Sequence, residues 1–180
     1  MKGDDVSEAR LRRLGAPGDL GWVVMAHGEL YTAEFGWDAG FEALVARIVA
    51  DYAAAPDPAR DAAWIAELNG KRVGCVFCVR GDDHRTARLR ILLVAPEARG
   101  QALGSRLVET ALGFATTAGY ERMQLWTNHP LVAAARIYRR HGFELVAEEP
   151  HHSFGVDLVG QTYELDLRRL GLRCRLASEV

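Results

Sequence analysis

Long apolar runs are missing from this sequence. The longest, such as Trp22-Val23-Val24-Met25-Ala26, extend only a few residues, and a helix needs about 20 to cross a bilayer. No membrane partner is expected. The first residues, Met1 to Arg13, are polar and charged, which predicts no secretory leader. An excess of either charge is missing too: 22 Lys and Arg stand against 24 Asp and Glu, a formal net charge of −2. A near-neutral chain has no bulk electrostatic grip on nucleic acid, so none is expected as a partner. Cysteine is scarce, at three. Cys75-Val76-Phe77-Cys78 has the spacing of redox and zinc sites, but it sits in a stretch that reads as a strand. Residues three apart on a strand face opposite sides, and no second ligand pair follows. The expectation is no metal, and structural thiols in a reducing cytoplasm.

What is present is a globular composition. With 180 residues, 49% of them hydrophobic and 26% charged, the chain can close one real core. One domain is expected over residues 10–168, with 1–9 and 169–180 as terminal extensions. No internal repeat or linker interrupts it.

The organising stretch runs from Leu89 to Ala118. Leu89 to Val94 is an apolar run suited to a buried strand. Pro96 breaks it. Leu103, Leu107, Val108, Ala111, Phe114, Ala115 and Ala118 then fall at helical spacing. A strand thus feeds a glycine-containing loop, Arg99-Gly100-Gln101-Ala102-Leu103-Gly104-Ser105, that opens a helix. The first turn of a helix carries N–H groups without internal partners, at the positive end of the dipole. Small side chains at Gly100, Ala102, Gly104 and Ser105 let a phosphate approach them, and a pyrophosphate is the natural guest.

Around that stretch the pattern predicts a short strand at Leu11 to Leu14, a helix over Leu20 to Phe35 capped by Asp19, and a helix capped by Asp38. A loop is expected from Asp51 to Ala59. Trp64 to Leu68, Asn69-Gly70 and Lys71 to Val79 give the clearest hairpin signal. After the central strand and helix come a strand at Met123 to Thr127, a helix over Pro130 to His141, a strand at Phe143 to Glu148, a loop from His151 to Gly160, and a closing strand at Gln161 to Leu167. The tail from Arg168 has no clear pattern. This order is α+β, or mixed α/β, with helices over a sheet.

Arg99 to Gly104 resembles the Arg/Gln-x-x-Gly-x-Gly/Ala pyrophosphate loop of the GNAT family of N-acetyltransferases. Downstream, Ala134, Tyr138, Gly142 and Phe143 look like that family's Ala-x-x-x-Tyr-x-x-x-Gly-Phe signature. The likeness extends from Leu11 to Leu167. It is closest to the acetyltransferase half of MarR-type regulator–acetyltransferase fusions, through Gly21 to Val24, His27 to Tyr31, Phe35 to Asp38, Leu125 to Asn128 and Glu149 to Gly155. The resemblance implies a central, mixed, mostly antiparallel sheet of about seven strands with helices on both faces. It implies acetyl-CoA as co-substrate, an amine of a small molecule or peptide as acceptor, and a cytoplasmic enzyme; a homodimer is left open.

The likeness also distributes roles. Arg99, Gly100, Gln101, Ala102, Leu103, Gly104 and Ser105 would hold the pyrophosphate. Leu92, Leu93 and Val94 would offer main-chain groups where the central strand splays from its neighbour. Tyr138 would protonate the departing thiolate. Asn128 would stand in for an asparagine that many relatives carry where this chain has Leu131. Ala102 replaces a glycine of the loop; its methyl is tolerated if the backbone there is already helical. For the general base the candidates are Glu29, Glu34, His151 and His152, with Glu34 and His152 carried forward. Tyr31 and Trp37 are expected to line the acceptor pocket. Two rivals stand beside this reading. One is a non-catalytic acyl-CoA-binding sensor. The other, a dinucleotide-binding fold, fits poorly, because no acidic residue ends the strand at Trp126-Thr127-Asn128.

Overall fold

The computed structural model describes residues 8–55 and 57–169. The leader before Glu8 and the tail beyond Arg169 lie outside the described residues. Seven strands form one sheet in the order β1-β2-β3-β4-β5-β7-β6. They are β1 (Arg10–Arg13), β2 (Ala62–Leu68), β3 (Lys71–Arg80), β4 (Thr86–Val94), β5 (Arg122–Asn128), β6 (Glu144–Ser153) and β7 (Val156–Asp166). Four helices cover it: α1 (Asp19–Phe35), α2 (Ala39–Ala54), α3 (Leu103–Thr117) and α4 (Val132–Arg140). Every neighbouring pair is antiparallel except β4 with β5. The mixed, mostly antiparallel sheet with helices on both faces is as expected.

The core is split by the sheet. Leu103, Leu107, Val108, Ala111 and Ala115 of α3 and Ala135 and Tyr138 of α4 pack on one face. Val23 of α1 and Val45 and Val49 of α2 pack on the other. Cys75 belongs to the second core and Cys78 to the first. The CxxC thiols therefore diverge across the sheet, as strand alternation requires, and both are free.

Turn chemistry places the hairpins. Asn69 and Gly70 take φ of 52° and 75° between β2 and β3, the double left-handed turn that matches strand twist. The same turn recurs at Phe154 and Gly155, with φ of 58° and 79°, where the sequence predicted a loop. His151 to Gly160 is instead the end of a long β6–β7 hairpin. The signal was hidden because β6 is an edge strand, exposed along most of its length, with no core-facing alternation to read. Pro150 is tolerated there because an edge strand can leave one side unbonded.

Two more expectations are corrected. α2 runs on to Ala54, past the predicted break at Asp51; Tyr52 packs edge-on against Phe77 with centroids 5.0 Å apart. The turn away comes at Ala55, which leaves the helical region at φ −142°, ψ 61°, since the α region is disfavoured before a proline. Asp19 does not cap α1, whose N-cap is Gly18 in the left-handed region with no side-chain cap bond. Its fully buried carboxylate accepts both guanidinium nitrogens of Arg12 at 2.7 and 2.9 Å, Nε of Arg72 at 2.8 Å, and the amides of Gly15 and Ala16. Asp38 does cap α2, accepting from Gly40 N at 2.8 Å.

Candidate active site

β4 and β5 pair over three rungs only, Thr86 with Arg122, Ala87 with Met123 and Arg88 with Gln124. Beyond them the strands splay, so the β5-facing main-chain groups of Leu89 to Val94 have no strand partner. The cause lies partly in β4 itself. Its register with β3 slips between Cys75 and Phe77, a bulge in which Ile91 takes φ 49°. A β-branched residue in this conformation is a genuine outlier, of the kind that gathers at functional sites. The bulge sends Ile91 and Leu93 to the α1–α2 core, while Leu92 and Val94 pack toward α3 and α4. The Cys75 thiol donates to the Ile91 carbonyl at 3.4 Å, across the bulge. No sequence signal marks Ile91, since its side chain argues for regular strand.

Past β4 a 3-10 turn over Pro96–Ala98 leads into the loop. Gly100 and Ala102 have φ of 80° and 54°. Ala102 is thus left-handed, not helical, and its methyl strains the backbone rather than merely narrowing the approach. It is the N-cap of α3 and supplies no side-chain cap bond. Among the described residues, the amides from Gly100 to Ser105 donate to no protein acceptor; the first bond of the helix is Arg106 N to Ala102 O. Six consecutive donors are left without a protein partner in this loop and first helical turn. Gly104 has a different reason to be glycine: a Cβ there would meet Ile137 Cδ1 at 2.6 Å, so it lets α3 and α4 pack closely. Ser105 Oγ shares a 2.7 Å hydrogen bond with Nε2 of His141 at the end of α4.

A cavity of about 640 Å³ fills the splay. Its wall takes residues from α1 and α2 on one face of the sheet and Leu131, Ala134 and Tyr138 from α4 on the other, so it runs through the opening between β4 and β5. The β6–β7 turn closes one end: Asp38 N donates to Phe154 O at 3.1 Å, and the Phe154 ring lies 5.1 Å from Trp37 and 5.2 Å from Phe41. Leu92, Asn128, Tyr138, Tyr31, Trp37 and His151 all reach this wall. Leu93 and Val94 do not, and only their main chain remains available. The loop from Arg99 to Ser105 lies outside the wall as well.

The two base candidates carried forward are not gathered there. Glu34 is tied to Arg99 at 2.7 Å, linking the end of α1 to the loop. His152 projects to solvent and pairs with Asp157 at 2.7 Å; Glu29 is exposed and outside the cavity. Strand alternation decides the histidines: His151 faces in, so its neighbour must face out. Both nitrogens of His151 are engaged. Nε2 donates to Asn128 Oδ1 at 2.8 Å, and Ser153 Oγ donates to Nδ1 at 2.9 Å.

His27 is the residue that sequence reasoning missed. It is buried, and its Nδ1–H donates to the Val23 carbonyl at 2.7 Å. The ring borders the cavity, and its Nε2, which has almost no accessible surface, is the one fully enclosed side-chain polar atom without a partner among the described residues. Tyr31 stacks on its ring at 5.7 Å. Burial pushes the imidazole pKa down to about 4, so it is neutral with its lone pair free. A histidine inside a helical stripe gives no hint of this. Tyr138 is also buried, and its phenol pKa is raised by burial first, then by Tyr31 and Tyr163 nearby. It holds its proton throughout the neutral range, and its hydroxyl, which unlike His27 Nε2 keeps some accessible surface, makes no hydrogen bond among the described residues. No group of three or more metal-ligating side chains occurs among the described residues, and no described helix is long and apolar enough to cross a membrane.

Known proteins are similar to this chain in sequence and in fold. N-acetyltransferase 8B of Homo sapiens is 36% identical over 93 residues, covering 49% of the chain and 41% of that protein. N-acetylaspartate synthetase of Xenopus tropicalis is 31% identical over 112 residues, covering 62% and 40%. The chain thus spans about two fifths of the length of these curated relatives. Among solved structures, a GNAT-family acetyltransferase from Staphylococcus aureus superposes with a TM-score of 0.72 at 17% identity, over 89% of this chain and 99% of that one. An acetyltransferase from Salmonella typhimurium, solved with acetyl-CoA, gives 0.69 at 20% identity, over 89% and 95%. At these identities the structures speak for the fold alone. The acetyltransferase (GNAT) family model matches residues 25–143, a span that takes in the splayed strand, the amide-rich loop and Tyr138, and the chain belongs to that family.

Proposed function

We propose that the chain transfers an acetyl group from acetyl-CoA to a primary amine of a small molecule or peptide. The observation that carries this is the opening between β4 and β5, which leaves a bare main-chain edge leading toward six free amides. Those features fit the two ends of a CoA. The amides of Gly100 to Ser105 donate to its diphosphate, with the α3 dipole behind them. The unpaired edge of Leu89 to Val94 meets the amide-bearing arm and polarises the thioester carbonyl; a fixed donor of this kind contributes about 3–4 kcal/mol in the transition state. As the N–C bond forms and the C–S bond breaks, the sulfur takes a proton from Tyr138, and the proton the amine releases passes through water and restores the phenol. Neither expected base faces the cavity and no Asp or Glu lines it, so no carboxylate of the wall takes that proton directly. Asn128, its carbonyl held by His151, positions its amide at the same wall. The likeness to MarR-linked acetyltransferases is supported by His27, Tyr31, Trp37, His151 and Phe154, which come together around one cavity. The reducing cytoplasm suits two buried free thiols.

Tyr138→Phe tests the reading. Turnover should fall about 100-fold or more, the range of a general acid, while calorimetric CoA affinity stays within about twofold. Unchanged turnover removes Tyr138 from the proton path. The engagement of Glu34 by Arg99 and the outward His152 favour one second reading, a CoA-binding sensor without catalysis. CoA binding without thiol release from acetyl-CoA, across amines, would select it.

A further inference from the structure

The charge of the cavity wall is one-sided. Arg47 of α2 and Arg88 and Arg90 of β4 line it, and no Asp or Glu does. Arg88 is already neutralised by Asp82. Arg47 and Arg90 form no ion pair among the described residues. Arg90 makes no side-chain hydrogen bond there either, although it is half-buried. Burial and the neighbouring Arg88 push its guanidinium pKa below the ordinary value, with Asp51 opposing only through space. A partly desolvated guanidinium with five unused donors is costly unless an anion meets it. It also stands one residue before the bulge at Ile91, beside the bare edge. On the same wall Phe41 and Phe154 present aromatic rings, backed by the buried Trp37.

Resting on the acetyltransferase reading above, the geometry points to an acceptor amine that carries a carboxylate, held by Arg90 with Arg47, and an apolar body held by the aromatic wall: an α-amino acid with an apolar side chain. The guanidinium fork matches a carboxylate bidentately. The same wall disfavours polycationic acceptors, because a second ammonium group would find arginines and no carboxylate.

The test uses pairs that differ only in the acid group. N-acetyl-L-phenylalanine and N-acetylphenethylamine are titrated into the protein, alone and loaded with CoA. Phenylalanine, phenethylamine and spermidine are then compared as acceptors. The acid should bind roughly 10- to 100-fold tighter than its isostere, the yield of a charge-assisted bond. Arg90→Met should bring that ratio close to one without lowering the thermal midpoint, and Arg90→Lys should keep part of it. Equal binding of the pair, spermidine as the best acceptor, or a ratio untouched by Arg90→Met overturns the inference. The two proposals fail separately. A preference for the acid with no CoA binding sinks the acetyltransferase reading and leaves the anion site. Thiol release without the preference does the reverse.

Discussion

Single residues carry the unusual backbone of this site. Ala102 sits at φ 54°, ψ 15°, a conformation that costs an L-residue about 1–2 kcal/mol and glycine almost nothing. Replacing Ala102 by glycine should therefore stabilise the protein by up to about 1 kcal/mol, once the looser unfolded chain is counted. CoA should bind as tightly or more tightly. Denaturant unfolding and calorimetry check both, and a clear loss of either would contradict the strain. The motif pointed to Ala102 as a departure, but no pattern reveals a dihedral. The same holds for Ile91. Its side chain favours strand, and only the slipped β3–β4 register shows that the chain bends there. Tyr138 was legible because its spacing from Gly142 and Phe143 is a sequence property. His27 was not, because an unpaired lone pair depends on what surrounds it.

Elements assembled as far as their local chemistry spoke. The β2–β3 hairpin was readable from Asn69-Gly70 between alternating strands. The β6–β7 hairpin was not, because Phe154-Gly155 is a less common turn pair and β6 has no buried face to pattern it. That miss moved His151 and His152 from a loop onto a strand, and alternation then separated them. α1 shows the converse: the expected capping aspartate has longer-range work. Asp19 ties α1 to β1 through Arg12 and to β3 through Arg72, and the paired arginines hold its carboxyl well below the usual carboxylate range. Asp19→Asn leaves Arg72 without its anion and Arg12 with Glu67 alone. The variant should lose about 3 kcal/mol of stability in urea unfolding; a loss under about 1 kcal/mol would show that the backbone amides carry the anchor instead.

At the scale of the molecule these groups set the response to acid. His27 has a folded pKa near 4, below its ordinary 6.5. Its neutral form is favoured by folding, so the stability is fully present above about pH 6.5 and is lost as pH falls toward 4. The loss amounts to about 3 kcal/mol. Asp19 follows the same sign at lower pH, with its contribution present above about pH 4 and lost below. Wild-type urea midpoints should therefore fall between pH 6.5 and 4. His27→Phe, which keeps an aromatic ring against Tyr31 and Phe41, should flatten that limb and leave the lower one. A slope unchanged in the variant would assign the acid sensitivity elsewhere.

Between β4 and β5 the sheet has only three rungs, and one hydrophobic core spans the two sides. β1 to β4, with α3 across them, make one panel, and β5, β7 and β6 make another, so the protein is built like a book with a short spine. A molecule bound between the pages would replace contacts that the strands forgo and would raise the stability of the fold. Reading and binding would then be the same act for this fold: whatever occupied the gutter would supply structure to the pages around it.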